Sequence, residues 1–321
     1  MVLNIFLLVI GFGLVIKGAD FLVDGASSLA KRHQVSELTI GLTIVAFGTS
    51  APELVVNLVA AIKGYDNVTL GNIIGSNIFN LLLILGISGL IYPVLVQSKT
   101  VWKEIPFSLL AGMLLMLLAN DTTIFHASEN TVKRYDGIIL LLFFCLFLFY
   151  VWSNMKDEKN HSSDQIKAFG LFKTMLFIII GFAFLITGGR MVVIQAADLA
   201  KALNVSDKVI GLTVVASGTS MPELATSAVA AFKKRSDLAI GNIIGSNIFN
   251  ILLILGITSL VSPVRYSMSF NLDLFIYLAA TLFVFIAMFT GRKRKLDRWE
   301  AGVLLFFYAG YMVYLFSKAG I

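Results

Sequence analysis

Two glutamates stand out as the residues able to do chemistry in this chain. Glu53 and Glu223 each lie within an apolar stretch, one residue after a proline (Pro52 and Pro222). An ionisable side chain in such a stretch is costly to bury and marks a functional site by default. If the two carboxylates meet, they repel one another and need either protons or a metal cation. Each proline removes a backbone donor and clashes with the carbonyl four residues earlier. The carbonyls near Gly48-Thr49 and Gly218-Thr219 are therefore expected to be free. Carbonyls beside a carboxylate form an oxygen-rich cation site. A plain proline kink is the competing explanation, and the adjacent Glu argues against it.

A polar stripe supplies further oxygens. Asn72, Ser76 and Asn80 fall at i, i+4 and i+8 on one helical face, with Asn77 beside them, and Asn242, Ser246 and Asn250 repeat the pattern. Gly71 and Gly75, like Gly241 and Gly245, have the G-x-x-x-G spacing that lets membrane helices approach closely. Hydrogen bonding between helices is an alternative role for Asn72 and Asn242. Ser76, Asn80 and their mates are assigned to the site. The donors on offer are carboxylates, carbonyls, hydroxyls and amides, which suit hard cations; calcium takes about 6–8 oxygens. Neither block contains His or Cys, which disfavours zinc and copper. His33, His126 and His161 fall in separate loops.

These residues belong to an internal repeat at a constant offset of 170. Gly41–Leu54 matches Gly211–Leu224 at 11 of 14 positions, and Gly71–Ile87 matches Gly241–Ile257 at 16 of 17. The motifs therefore cover 41–87 and 211–257.

The elements that position them follow from composition. The 321 residues are 58% hydrophobic and 14% charged, with a mean hydropathy of +0.88. An average soluble domain carries about 25% charged residues. A spanning helix needs about 20 mainly apolar residues. Ten spans are expected, at 2–28, 38–62, 70–93, 104–119, 136–152, 171–197, 208–232, 240–262, 271–290 and 299–317. The fold class is thus all-α integral membrane protein, as two five-helix repeats: 1–152 and 171–321, joined by a hydrophilic linker at 153–170. Five is odd, so the second copy enters the membrane inverted. Inverted repeats are typical of secondary transporters, whose substrate sites lie near the bilayer midplane between the repeats.

Lys and Arg accumulate on the cytoplasmic side of membrane proteins. With the N-terminus outside, 16 basic residues fall in cytoplasmic segments and seven in external ones. Both termini are therefore expected to be extracellular, with a cytoplasmic linker. The net charge of +6 is assigned to orientation, with no nucleic-acid partner. The apolar N-terminus lacks a basic flank and reads as a retained span, not a signal peptide. The lone cysteine, Cys145, excludes an intrachain disulfide. Lys17, Asp20, Asp24 and Arg190 fall within spans, where they can pair or snorkel to the interface.

The Gly-Thr-Ser-x-Pro-Glu and Gly-Ser-Asn-x-x-Asn blocks, each present twice, resemble the α-repeats of the sodium/calcium exchanger family of the cation/calcium antiporter superfamily. The short loops are similar to those of compact prokaryotic members. The resemblance implies a plasma-membrane antiporter, not an enzyme, working as a monomer without a cofactor and carrying Ca²⁺ and Na⁺. It implies Ca²⁺ binding by Glu53 and Glu223 with the main-chain carbonyls of Thr49 and Thr219. It implies one sodium site from Glu53, Ala216 (carbonyl), Thr219, Ser220 and Ser246. The inverted mate would use Glu223, Ala46 (carbonyl), Thr49, Ser50 and Ser76, with Asn80 and Asn250 at the centre. Many exchangers, including potassium-dependent ones, carry Asp where this chain has Asn250. Two carboxylates give a charge of −2. One Ca²⁺ neutralises it, whereas three Na⁺ would leave +1.

A Ca²⁺/H⁺ antiporter could use the same Glu pair, and a cation channel is a further alternative. The spans expected to gate the site are the first and sixth. Their glycines (Gly11, Gly13 and Gly18; Gly181, Gly188 and Gly189) suit sliding contacts or, equally, close packing.

Overall fold

The computed structural model describes residues 2–98, 100–124, 129–154, 169–202, 216–290 and 294–319. His126, His161, nearly all of the expected linker and Gly211–Val215 lie outside these residues.

The described residues form helices and two short strand pairs. We label them α1 (Val2–His33), α2 (Glu37–Thr49), α3 (Ala51–Ile62), α4 (Asp66–Ile91), α5 (Thr100–Ala119), α6 (Arg134–Asn154), α7 (Leu171–Ala202), α8 (Met221–Phe232), α9 (Ser236–Val261), α10 (Asn271–Ala287) and α11 (Arg298–Ala319). Eight of the described helices are long and apolar enough to cross a bilayer. Together α2 and α3 form one further span, bent by 45° at Ser50. The mate of that broken span is α8, preceded by a turn at Ala216–Gly218.

Local signals account for the ends of several helices. Lys31, Arg32 and His33 close α1, where positive charge meets the negative end of the helix dipole. Ser36 caps α2 by accepting the Thr39 N–H at 3.0 Å, and Glu37 lies in its first turn. Pro52 and Pro222 occupy the first turns of α3 and α8, where a missing N–H costs no helical hydrogen bond.

The repeat is visible in packing. At its centre lie α4 and α9, which carry the polar stripes, and α9 is buried along most of its length. Both helices loosen into a π-helical turn at equivalent places, Phe79–Ile84 and Phe249–Ile254, beginning just before Asn80 and Asn250. Such turns are frequent at functional sites. The outer helices expose bulky apolar side chains, among them Phe6, Leu142, Phe172 and Phe306, as a lipid-facing surface should. Cys145 is on this exposed surface. Two antiparallel strand pairs join the halves. Val94–Leu95 pairs with Lys295–Leu296, and Thr131–Val132 with Val264–Arg265.

Glycine sets the contact between α1 and α7. A β-carbon on Gly18 would lie 2.8 Å from the Leu185 nitrogen and 2.9 Å from the Gly181 oxygen. On Gly188 it would lie 2.8 Å from the Gly11 oxygen. Of the two roles open for these glycines, close packing describes Gly11, Gly18, Gly181 and Gly188. Gly13 faces open space.

Candidate cation-binding site

The break between α2 and α3 builds half of the site. Ser50 N–H donates to Ala46 at 3.0 Å, and the ladder resumes with Leu54 N–H to Ser50 at 3.2 Å. Pro52 has no N–H for the Gly48 carbonyl, so the end of α2 presents carbonyl oxygen where α3 begins. Glu53 sits in the first turn of α3 and is 1% exposed. The second half repeats this arrangement: Leu224 N–H donates to Ser220 at 3.1 Å, and Glu223, also 1% exposed, lies in the first turn of α8.

The two halves exchange contacts. Ser50 donates its hydroxyl to Glu223 Oε1 at 2.9 Å, and Ser220 lies 3.1 Å from Glu53 Oε1. Each glutamate is thus bound to the break that carries the other. Ser220 is also 3.1 Å from Ser76. The family resemblance groups Ser76 with Glu223; here it is joined to Glu53 through Ser220. Thr49 donates to Asn242 Oδ1 at 3.1 Å, and Thr219 to Asn72 Oδ1 at 3.2 Å. Asn72 and Asn242 therefore take the interhelical hydrogen-bond role. Ala46 is buried at the end of α2, and Ala216 opens the turn before α8.

The centre is also reciprocal. Asn80 Nδ2 donates to Asn247 Oδ1 at 3.0 Å, and Asn250 Nδ2 to Asn77 Oδ1 at 2.9 Å. These bonds occupy the amide nitrogens and leave Asn80 Oδ1 and Asn250 Oδ1 without a partner. Glu53 Oε2, Glu223 Oε2 and the Ser246 hydroxyl are likewise buried and unpartnered. Buried polar atoms without partners are costly and need an explanation. Among the described residues, no Lys or Arg pairs with either glutamate. Nor does any group of three or more His, Cys, Asp or Glu side chains assemble among them. A cation held here would use two carboxylates and neutral oxygens, a set that fits Ca²⁺ or Na⁺.

Sequence reasoning did not single out Asn57 and Ser227, which differ between the repeats. Asn57 Nδ2 donates to the Glu53 carbonyl at 2.7 Å. In the other half Asn242 Nδ2 bonds both Ser227 Oγ at 2.9 Å and the Glu223 carbonyl at 3.4 Å. The position lies one helical turn beyond each glutamate, which was the available signal.

Comparison with known proteins decides the family. A profile of the sodium/calcium exchanger protein family matches residues 3–153 and 173–317. The chain belongs to the sodium/calcium exchanger family. This family consists of transporters, not enzymes. The protein is 37% identical to the putative antiporter CaxA of Alkalimonas amylolytica, over 99% of this chain and all of that one. It is 32% identical to the sodium/calcium exchanger MaX1 of Methanosarcina acetivorans, over 98% of each. The inner membrane protein YrbG of Escherichia coli is 34% identical, over 98% of this chain and 96% of that one. The fold matches a solved structure of the sodium-calcium exchanger NCX_Mj soaked with Na⁺ and Sr²⁺. The TM-score is 0.83 at 30% identity, covering 98% of both chains. The protein is therefore a multi-pass membrane cation/calcium exchanger with two inverted repeats.

Proposed function

We propose that the protein exchanges Ca²⁺ for Na⁺ by alternating access, with Glu53 and Glu223 sharing the Ca²⁺. The observation that carries this reading is the pair of buried carboxylates from inverted breaks, each with one oxygen unpartnered. Thr49 and Thr219 complete the Ca²⁺ shell through their carbonyls. Sodium takes the two flanking sites. One uses Glu53, Ala216, Thr219 and Ser220, and the other Glu223, Ala46, Thr49 and Ser50; Ser246 and Ser76 flank them, Ser76 lying 3.1 Å from Ser220 on the Glu53 side. Hydroxyl and amide oxygens favour Na⁺ over H⁺ as the coupling ion, because a proton needs no coordination shell.

Coupling follows from charge. The empty pair carries −2 in a buried site, which disfavours closure. One Ca²⁺ neutralises it, and three Na⁺ leave +1, so exchange at three to one moves one net charge. Asn80 and Asn250 are neutral, which leaves no third carboxylate to balance K⁺.

The moving part is the α1–α7 pair. It lies over both breaks: the ring of Phe182 on α7 covers Gly48, and Val193 on α7 meets Gly218. The halves 1–152 and 171–321 act as the two repeats, each supplying one glutamate. One chain supplies every residue of the proposed site, which supports function as a monomer. The charge bias supports an orientation in the cell membrane with both termini outside and the linker inside.

Proteoliposomes test the reading. An outward Na⁺ gradient is expected to drive entry of radiolabelled Ca²⁺ above its external concentration, and a Na⁺ ionophore should abolish it. Equal uptake driven by a proton gradient without Na⁺ would assign the pair to Ca²⁺/H⁺ exchange. Passive downhill flux alone would assign it to a channel.

A further inference from the structure

We propose that Lys233, held between Asp20 and Asp24, is a latch that biases the exchanger towards the state in which α1 is packed on α8. Asp20 and Asp24 lie one turn apart on α1. Lys233 follows the last residue of α8, whose first turn carries Glu223. Its ammonium lies 2.6 Å from Asp20 Oδ1 and 2.6 Å from Asp24 Oδ1, and it also donates to the Asp20 carbonyl at 3.2 Å. A second tie lies at the same end: Ser27 of α1 hydrogen-bonds Glu37, and Arg235 lies 3.7 Å from Glu37.

The repeat provides an internal control. The turns after α3 and α8 share one backbone. Lys63 N–H donates to Val59 at 3.2 Å and Tyr65 N–H to Ala60 at 2.8 Å; Lys233 N–H donates to Val229 at 2.9 Å and Arg235 N–H to Ala230 at 2.8 Å. Gly64 and Lys234 both adopt positive φ, 73° and 60°. The side chains, however, do not correspond. At the offset of 170, Lys233 corresponds to Lys63, Asp20 to Arg190 and Asp24 to Ile194. Ser27 corresponds to Ala197, and Arg235 to Tyr65. The mirror-image latch would set Lys63 against Arg190, two like charges.

Packing follows the same asymmetry. Helix α1 lies along α8, whereas α7 makes little contact with α3. Lys63 and Arg190 are both exposed. The inference rests on the alternating-access reading, in which inverted repeats trade conformations. In the opposite state α7 would close on α3, and α1 would leave α8. The glycine contacts bind α1 to α7, so releasing one moves both. Release separates two aspartates from their lysine and brings Lys63 towards Arg190. The charges thus favour one end of the cycle.

Hydrogen exchange on the intact protein in detergent, without Na⁺ or Ca²⁺, reads the bias at both ends. In Lys233→Gln, amides of 20–28 and 229–235 are expected to exchange about threefold to tenfold faster, as expected for loss of two partly exposed ion pairs. Amides of 59–65 should slow. Asp20→Asn with Asp24→Asn should reproduce this pattern, and Lys233→Arg should resemble wild type. If Lys233→Gln does not fold, the aspartate pair decides. Unchanged exchange at both ends would overturn the latch. So would faster exchange at the Lys233 end with no slowing at 59–65, because the tie would then be local. The readout needs no transport, so a failure of Na⁺ coupling in vesicles remains a separate result.

Discussion

Glu53→Gln and Glu223→Gln are each expected to reduce Na⁺-driven Ca²⁺ uptake to the level of empty vesicles. The substitution keeps the shape of the side chain and an acceptor for Ser220 or Ser50, the present hydroxyl partners. It removes one of only two charges in the buried site. Ca²⁺ would then sit with a net +1 away from water. Removing one partner of a buried ionic group costs about 3–5 kcal/mol. About 1.4 kcal/mol is a tenfold change, so the loss lies between roughly 10²-fold and several times 10³-fold in Ca²⁺ affinity. Radiolabelled uptake at saturating Na⁺ gradient checks it. The same variants should be no less stable than wild type in chelator, because the empty wild-type pair buries two repelling carboxylates. A variant that lost uptake and also melted earlier in chelator would point to misfolding.

Gly18→Ala and Gly181→Ala are expected to cost about 1–3 kcal/mol each, the range for forcing extra atoms into a packed interface. The new β-carbon on Gly18 would press on the Leu185 nitrogen at 2.8 Å, and that on Gly181 on the Leu22 nitrogen at 2.8 Å. Both are backbone atoms, which cannot rotate away, so α1 and α7 must separate. Gly13→Ala on the same helix meets nothing within 4 Å and should be neutral or slightly stabilising through helix propensity. Thermal midpoints of the three variants in one detergent separate contact from propensity. Equal midpoints for Gly13→Ala and Gly18→Ala would show that the α1–α7 contact is not tight. Transport should fall with the midpoint only in the two interface variants.

The candidate site was legible in the sequence as a set of paired residues because the repeat displays it twice. A residue that recurs at an offset of 170, in the same apolar setting, identifies its partner by symmetry. Glu53 with Glu223, Ser50 with Ser220 and Asn80 with Asn250 could all be paired before any fold was known. The bend at Ser50 followed from one proline and one glycine. What the pattern hid was whatever breaks the symmetry. Asn57 and Ser227 differ in type, so neither announced its bond near a glutamate backbone. Lys233 meets Asp20 and Asp24 across more than two hundred residues, and among the described residues its repeat mate Lys63 has no such ion pair. The glycines of α1 and α7 were visible as glycines. Whether they slide or pack depends on which face each helix turns to the other, and composition does not specify that rotation. The interlocked amides of Asn77 with Asn250 and Asn80 with Asn247 depend on rotamers chosen only when α4 and α9 cross.

Equilibrium binding of radiolabelled Ca²⁺ to the purified protein, at graded Na⁺, tests the shared site most directly. The expected result is one Ca²⁺ per chain, displaced by Na⁺, and lost both in Glu53→Gln and in Glu223→Gln. Two Ca²⁺ per chain, or undiminished binding in either single variant, would mean that the glutamates serve separate sites and would contradict the account.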